Sequence, residues 1–280
     1  MSNQKGIIEI CLATYNGESY IGQFLESLCR QTYKDFRILV SDDGSNDKTL
    51  SIIALFYSKL DIRILPGNKK NKGAALNFLY LMSNTKASYI LFADQDDVWV
   101  KDKVFICLTE MRNQENLVKN KPILVFSDLM IVNSELDLLF LSFFKHQGFC
   151  KYINNIGEII PYQNVVTGCT IMINQQLCSL ATCNSNVVLM HDWWIALVAV
   201  YSGAQISVIN EPLVLYRQHD KNAVGAPNKV NAFIKAFRFV VALKPKIFSL
   251  KVQYSMCKNA GYHKGYIYFL VKKIIISIKG

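Results

Sequence analysis

The chain has 280 residues, 51% of them hydrophobic and 19% charged, which supports one large α/β body with an appendage. Its net charge of +10 is uneven: residues 221–280 hold twelve Lys or Arg and no acidic residue, while the first 220 hold 19 basic and 21 acidic side chains. A nearly neutral body with a strongly basic tail points the tail toward an anionic surface, either lipid or nucleic acid.

Residues 7–13 predict a strand that is apolar on both faces, followed by the polar turn Thr14-Tyr15-Asn16-Gly17-Glu18. Residues 19–31 carry helical spacing at Ile21, Phe24, Leu25 and Leu28. A strand over 36–40 runs into Ser41-Asp42-Asp43-Gly44-Ser45, and a helix over 47–57 follows with Asn46 or Asp47 as its cap. Residues 62–65 form a third strand, Asn71-Lys72-Gly73 opens a helix to Leu81, and 89–93 form a fourth strand. This alternation predicts a mainly parallel, Rossmann-like sheet flanked by helices, with right-handed crossovers. In such a sheet ligands bind beyond the carboxyl ends of the strands. The clusters at 14–16, 42–43 and 94–97 all fall there.

Further along, residues 123–126 predict a strand, and 143–162, with no clear period, read as a substrate loop. Thr167-Gly168-Cys169-Thr170 leads into a strand, and Met190-His191-Asp192-Trp193-Trp194 opens an apolar helix to Tyr201. Val208-Ile209 is a short strand, and Glu211-Pro212 begins an extended stretch to Tyr216-Arg217-Gln218-His219. Residues 229–243 have helical apolar spacing with flanking lysines, and Pro245 ends that helix. The organisation expected is a catalytic domain over 1–222 and a basic, amphipathic helical extension over 223–280.

The eight cysteines form no C-x-x-C pair, so a zinc site is unsupported. Free thiols and an N-terminus without a secretory pattern predict a cytoplasmic protein. No apolar run reaches the ~20 residues of a membrane-spanning helix.

The densest chemistry is Asp94-Gln95-Asp96-Asp97, directly after the apolar strand. Three carboxylates within four positions raise each other's pKa unless a cation sits among them. Strand alternation sends Asp94 and Asp96 to one side. That pattern suits a hard cation, Mg2+ or Mn2+, shared with substrate phosphates; the alternative is a solvated acidic turn. An EF-hand is excluded, because the fifth and sixth loop positions hold Val98 and Trp99. No G-x-G-x-x-G follows the first strand, Gln23 stands where a P-loop needs Lys, and there is no G-x-S-x-G elbow.

The ordered set Ala13-Thr14-Tyr15-Asn16-Gly17, Gln31-Thr32-Tyr33, Val40-Ser41-Asp42-Asp43-Gly44-Ser45, Phe92-Ala93-Asp94-Gln95-Asp96-Asp97-Val98-Trp99, Gly168-Cys169-Thr170, His191-Asp192-Trp193-Trp194 and Tyr216-Arg217-Gln218-His219 resembles the inverting GT-A glycosyltransferases of family 2. The last three pieces resemble the rhamnosyltransferase-like branch that builds bacterial O-antigen and capsule chains. The resemblance implies that Thr14, Tyr15, Asn16 and Asp43 bind the nucleotide base side, with Asp42 either beside them or a structural cap. It implies Asp94 at the ribose or metal shell, Asp96 as the ligand of Mn2+ or Mg2+, and Asp97 as its support or a helix cap. Asp192 matches the general base, and His191 before it is a candidate to shift its pKa. Trp193 and Trp194 match the acceptor wall, with core packing as the alternative for one of them. Arg217 and His219 match diphosphate contacts or a loop closure, and Lys72 a phosphate contact or a surface residue.

The donor so implied is a nucleotide sugar, dTDP-rhamnose first and a UDP-hexose second. The acceptor so implied is a hydroxyl of a lipid-linked oligosaccharide. The basic tail would then meet the anionic inner face of the cell membrane as a peripheral anchor, or pack on the body as a helical layer. A nucleic-acid partner is not expected, because the acidic strand ends would repel its phosphates. A nucleotidyltransferase should carry a Gly-rich basic turn where Tyr15-Asn16-Gly17-Glu18 stands.

Overall fold

In the computed structural model, residues 7–66, 73–182, 187–219 and 243–279 are described. The elements are β1 (Ile8–Thr14), α1 (Ile21–Cys29), β2 (Arg37–Asp42), α2 (Thr49–Ala54), β3 (Ile62–Ile64), α3 (Ala74–Asn84), β4 (Tyr89–Asp94), β5 (Val98–Trp99), α4 (Lys103–Leu117), β6 (Ile123–Val132) and β7 (Leu138–Phe140). They continue with α5 (Phe143–Gln147), α6 (Ile156–Ile159), β8 (Ile171–Asn174), α7 (Gln175–Thr182), α8 (His191–Tyr201), β9 (Gln205–Arg217), α9 (Leu243–Ala260) and α10 (Tyr266–Lys279).

The sheet order is β3-β2-β1-β4-β8-β6-β9-β5, with β7 paired to β6. The first four strands are parallel, as their alternation with helices requires. β8 runs antiparallel between β4 and β6. Period-two alternation splits β1 between two cores. Ile8, Ile10 and Leu12 pack under α1 and α4, and Cys11 joins Ile90 and Phe92 under α3, α7 and α8. Both faces are covered, which explains why these strands read as apolar throughout. The seven described cysteines are free, and five of them are buried.

Two expectations change. The two extended pieces over 208–217 are one strand, β9, parallel to β6 with register shifts around Asp128, opposite Pro212. A proline has no N–H for the ladder and is tolerated at such an irregularity. The segment 143–162 contributes to the core: Phe144, Phe149, Ile156, Ile159, Ile160 and Tyr162 are buried on the α8 side. Its short helical turns hide any single period.

The described part of the tail packs on the body. Met256, Cys257, Tyr262 and Phe269 are buried in the core shared with α8. The Gln253 side-chain amide donates to the carbonyls of Pro161 (2.8 Å) and Tyr162 (3.2 Å), and the Tyr162 and Tyr262 hydroxyls lie 3.1 Å apart. The helix expected over 229–243 lies outside the described residues, apart from Leu243. Pro245 falls in the first turn of α9 rather than after a helix, a position where a missing N–H costs nothing. Among the described residues, no helix is long and apolar enough to cross a membrane.

Candidate active site

Strand register brings three ends level. β1 pairs Thr14 with Asp42 of β2, and Ala13 with Asp94 of β4. The carbonyl of Thr14 accepts from the Asp43 amide (2.8 Å). The Thr14 hydroxyl donates to Asp42 Oδ1 (2.8 Å). Asp42 also accepts from the Ser45 hydroxyl and from the amides of Gly44 and Ser45, so its carboxylate shapes the turn, the cap reading of the sequence. Asp43 is buried and Oδ2 accepts from the amide of Gly73 (2.9 Å), at the start of α3. Asn16 holds a left-handed backbone (φ 46) and ties its turn to the next through Ser45 and Asn46. Tyr15 leaves its ring open to solvent, 44% exposed. Lys72 lies outside the described residues.

Gln95, to which the sequence assigned no role, clamps this loop. Its side chain accepts from the Tyr15 amide (3.0 Å) and donates to the Tyr15 carbonyl (2.9 Å). Gly17 leaves room for it: a Cβ there would lie 2.2 Å from Gln95 Oε1 and push the amide out of its clamp. A glycine two residues after Tyr15 was the one local signal for so close an approach.

The acidic cluster carries the electrostatic load expected of it. Burial, then the charges of Asp96 and Asp192, push Asp94 up to about 8. Asp97 is fully buried and raised by burial and by Asp96 and Asp94. One Asp97 oxygen accepts from the Arg217 amide (3.2 Å), and the other has no hydrogen-bond partner among the described residues. Ligand atoms of Asp94, Asp97 and Cys169 lie within 4.8 Å of one another. Burial and Asp97 hold the Cys169 thiol protonated, a poor ligand for a hard cation. The carboxyl oxygens of Asp94 and Asp97, which burial keeps from ionising unless a cation offsets their charge, and the orphaned Asp97 oxygen fit Mg2+ or Mn2+.

Asp96 is held from behind. Its Oδ2 lies 2.9 Å from His219 Nε2, and its carbonyl accepts from Arg217 Nε (2.7 Å). The buried Arg217 guanidinium also donates to Ser134 O and to Gln23 Oε1 (2.6 Å), and it lies 4.5 Å over the Tyr20 ring. The His219 ring stacks on the same tyrosine. Tyr20, Gln23 and Ser134 gave no signal in the sequence, since each meets Arg217 across a long separation.

Asp192 sits in the first turn of α8, buried, near enough to Asp94 for its charge to act there. Burial raises its carboxyl to about 6, against backbone hydrogen bonds from Trp193 (2.6 Å) and Gly168 (3.1 Å) that lower it. His191 does not produce that shift. It is stacked 3.8 Å from Phe78, and burial lowers it to about 3, so it is neutral. The two tryptophans part company. Trp193 is half-buried and donates to the Ile160 carbonyl (2.6 Å). Trp194 is fully buried and donates to Ala181 O (2.7 Å), which places it in the core rather than on an acceptor wall.

A sheet edge that gathers a polar turn, an acidic cluster and a buried carboxylate has the make-up of a group-transfer site. The profile described as Glycosyl transferase family 2 matches residues 9–134. The dTDP-rhamnosyl transferase RfbG of Shigella flexneri is 32% identical over 228 residues, 77% of this chain and 74% of that protein. The chain belongs to glycosyltransferase family 2. The Escherichia coli UDP-Glc:alpha-D-GlcNAc-diphosphoundecaprenol beta-1,3-glucosyltransferase WfgD is 29% identical over 46% of this chain and 47% of its own. The GT-A fold is shared with S. aureus TarS in complex with UDP-GlcNAc (TM-score 0.62, 16% identity, 95% of this chain and 70% of that one). It is also shared with the mannosyltransferase PcManGT of Pyrobaculum calidifontis in complex with GDP-Man and Mn2+ (TM-score 0.57, 14% identity, 99% and 81%).

Proposed function

We propose that this glycosyltransferase is inverting and metal-dependent, and that it moves rhamnose from dTDP-rhamnose to a hydroxyl of a lipid-linked surface glycan at the inner face of the cell membrane. A UDP-hexose is the second donor in line. The observation that carries the reading is Asp192, a buried carboxyl raised to about 6 whose charge is felt by Asp94. The relatives supply the substrate classes: a dTDP-rhamnosyl transferase and an enzyme whose acceptor is a diphosphoundecaprenol-linked sugar.

In this reading Tyr15 and Asp43 hold the base, with Thr14, Asn16 and Asp42 fixing their turns. Asp94 and Asp96 would hold the cation, with Asp97 beside Asp94 as support, and the cation would supply charge stabilisation to the departing diphosphate. Arg217 and His219 position Asp96 through the contacts described. Asp192 takes the proton of the acceptor hydroxyl. The hydroxyl oxygen bonds to the anomeric carbon from the face opposite the diphosphate, whose C–O bond breaks, so the centre inverts. Trp193 offers the acceptor a flat surface beside that base.

The test is nucleoside diphosphate release from a panel of nucleotide sugars, with Mn2+ and with chelator. We expect Asp192→Asn to keep fold and donor binding while transfer falls by roughly 10²–10⁴. We expect Asp96→Asn to lose the metal-dependent part of donor binding. Near-normal transfer by Asp192→Asn removes the base assignment, and equal donor affinity with chelator removes the metal.

A further inference from the structure

We infer that the outward face of α10 is a docking surface for an anionic phospholipid bilayer. This deepens the membrane association proposed above, and its test reads lipid binding without transfer. On its inner side, Phe269 is buried in the core, with Tyr266, Leu270 and Ile276 packed beside it. On its outer side, Ile267 is 79% exposed, Val271 51%, Ile274 51%, Ile275 40% and Ile278 78%. Their spacing of four, three, one and three positions puts all five on one stripe of the helix. Scattered exposed aliphatics are ordinary on a protein surface. A stripe of five β-branched aliphatics with no polar member is an unpartnered face.

Charge selects the occupant. The segment 221–280 has no acidic residue, and Lys251, Lys258, Lys264 and Lys272 of the last two helices and their link are exposed. Tyr268 stands at the rim of the stripe, with the ammonium groups of Lys264 and Lys272 at 4.4 and 5.8 Å from its ring. A second copy would meet this face isologously and bring two basic segments together, with no acid to offset them. A nucleic acid would use the lysines and leave the aliphatics unexplained. An anionic headgroup layer above acyl chains uses both. The helix is too short to span, so it lies in the interface plane.

The same helix touches the catalytic region from its other side. Lys273 donates to Tyr162 O and to Gln253 Oε1, and its ammonium lies 5.6 Å from the Trp193 ring. Docking through the outer stripe therefore sets the Trp193 ring about one helix diameter from the lipid surface.

The test is sedimentation of the full chain with phosphatidylcholine vesicles, pure or containing phosphatidylglycerol. We expect binding to the anionic vesicles that weakens at least about tenfold on raising the salt or removing the anionic lipid. Val271→Ser/Ile274→Ser/Ile278→Ser should lose at least about tenfold in vesicle affinity with an unchanged circular dichroism spectrum. If that triple variant misfolds, Ile267→Ser/Ile278→Ser, at the two most exposed positions, carries the same expectation. Wild-type protein that ignores both vesicles, or serine variants that bind as tightly as wild type, overturns the inference. So does a lipid-free wild-type dimer that the serine variant dissociates, which would give the face to a second copy. A protein that ignores vesicles yet transfers sugar to a soluble acceptor sinks this inference and leaves the catalytic reading intact.

Discussion

Asp192 is under opposing demands: burial disfavours the ionised form that a base must have. Its carboxyl titrates at about 6 in the folded protein against 3.8 for the ordinary group. Between those values the folded state holds a proton that the unfolded state has released. Stability therefore falls as pH rises from about 4 to about 6, and the loss persists above that range. Ionising this one group costs about 3 kcal/mol. We expect the wild-type melting temperature, minus that of Asp192→Asn, to fall across that window when measured without divalent ions. A flat difference would show that Asp192 does not titrate there. Transfer should rise with pH over the same range, since only the deprotonated form accepts a proton. Gly168 is the other sensitive position. A Cβ there would lie 2.6 Å from His191 Nε2 and 2.9 Å from Cε1, and His191 is packed against Phe78 and Phe92. Gly168→Ala should cost roughly 1–3 kcal/mol by overpacking and displace the amide that faces Asp192. Thermal melts and transfer rates should both fall; unchanged values would show that His191 yields.

At the scale of elements, the strand ends were legible because their chemistry is local. A period-two apolar run followed by Asp pairs predicts both a strand and a site at its end, and β1, β2 and β4 place Thr14, Asp42 and Asp94 side by side. Helices were legible as elements but not in orientation. Trp193 and Trp194 are neighbours in sequence and point about 100° apart on α8, so only the fold decides which one reaches the core. Arg217 suits phosphate chemically, yet its described partners Gln23, Asp96 and Ser134 lie 194, 121 and 83 positions away. Gln95 shows the same limit across 80 positions, because its partner, the Tyr15 backbone, belongs to a neighbouring strand end. Gln95→Ala should free the Tyr15 turn and raise the donor KM about fivefold, the loss of ~1 kcal/mol of positioning, with little change in kcat. Steady-state kinetics with varied donor would read this. A fall in kcat with KM unchanged would instead put Gln95 in the transition-state contacts.

At the scale of the molecule, the tail read as a separate charged unit because charge is visible in composition and packing is not. Lysines mark residues 221–280, but Met256, Cys257, Tyr262 and Phe269 are at most 3% exposed and share the core of α8. The backbone carbonyls of Pro161 and Tyr162 depend on Gln253 and Lys273 for donors. Truncation after residue 225 would therefore uncover apolar surface on Tyr162 and α8. Each fully buried side chain of that kind contributes roughly 1.5–3 kcal/mol, so four of them rival the 5–15 kcal/mol that holds a typical domain together. We expect the truncated chain to unfold at a markedly lower denaturant concentration than the full chain, and to show a raised acceptor KM even before unfolding. Its weakened site would follow from Ile160, whose carbonyl anchors the Trp193 indole and which lies beside the uncovered Pro161 and Tyr162. A truncated protein with the midpoint and acceptor KM of the full chain would show that α9 and α10 are a removable layer, and that Trp193 is held without them.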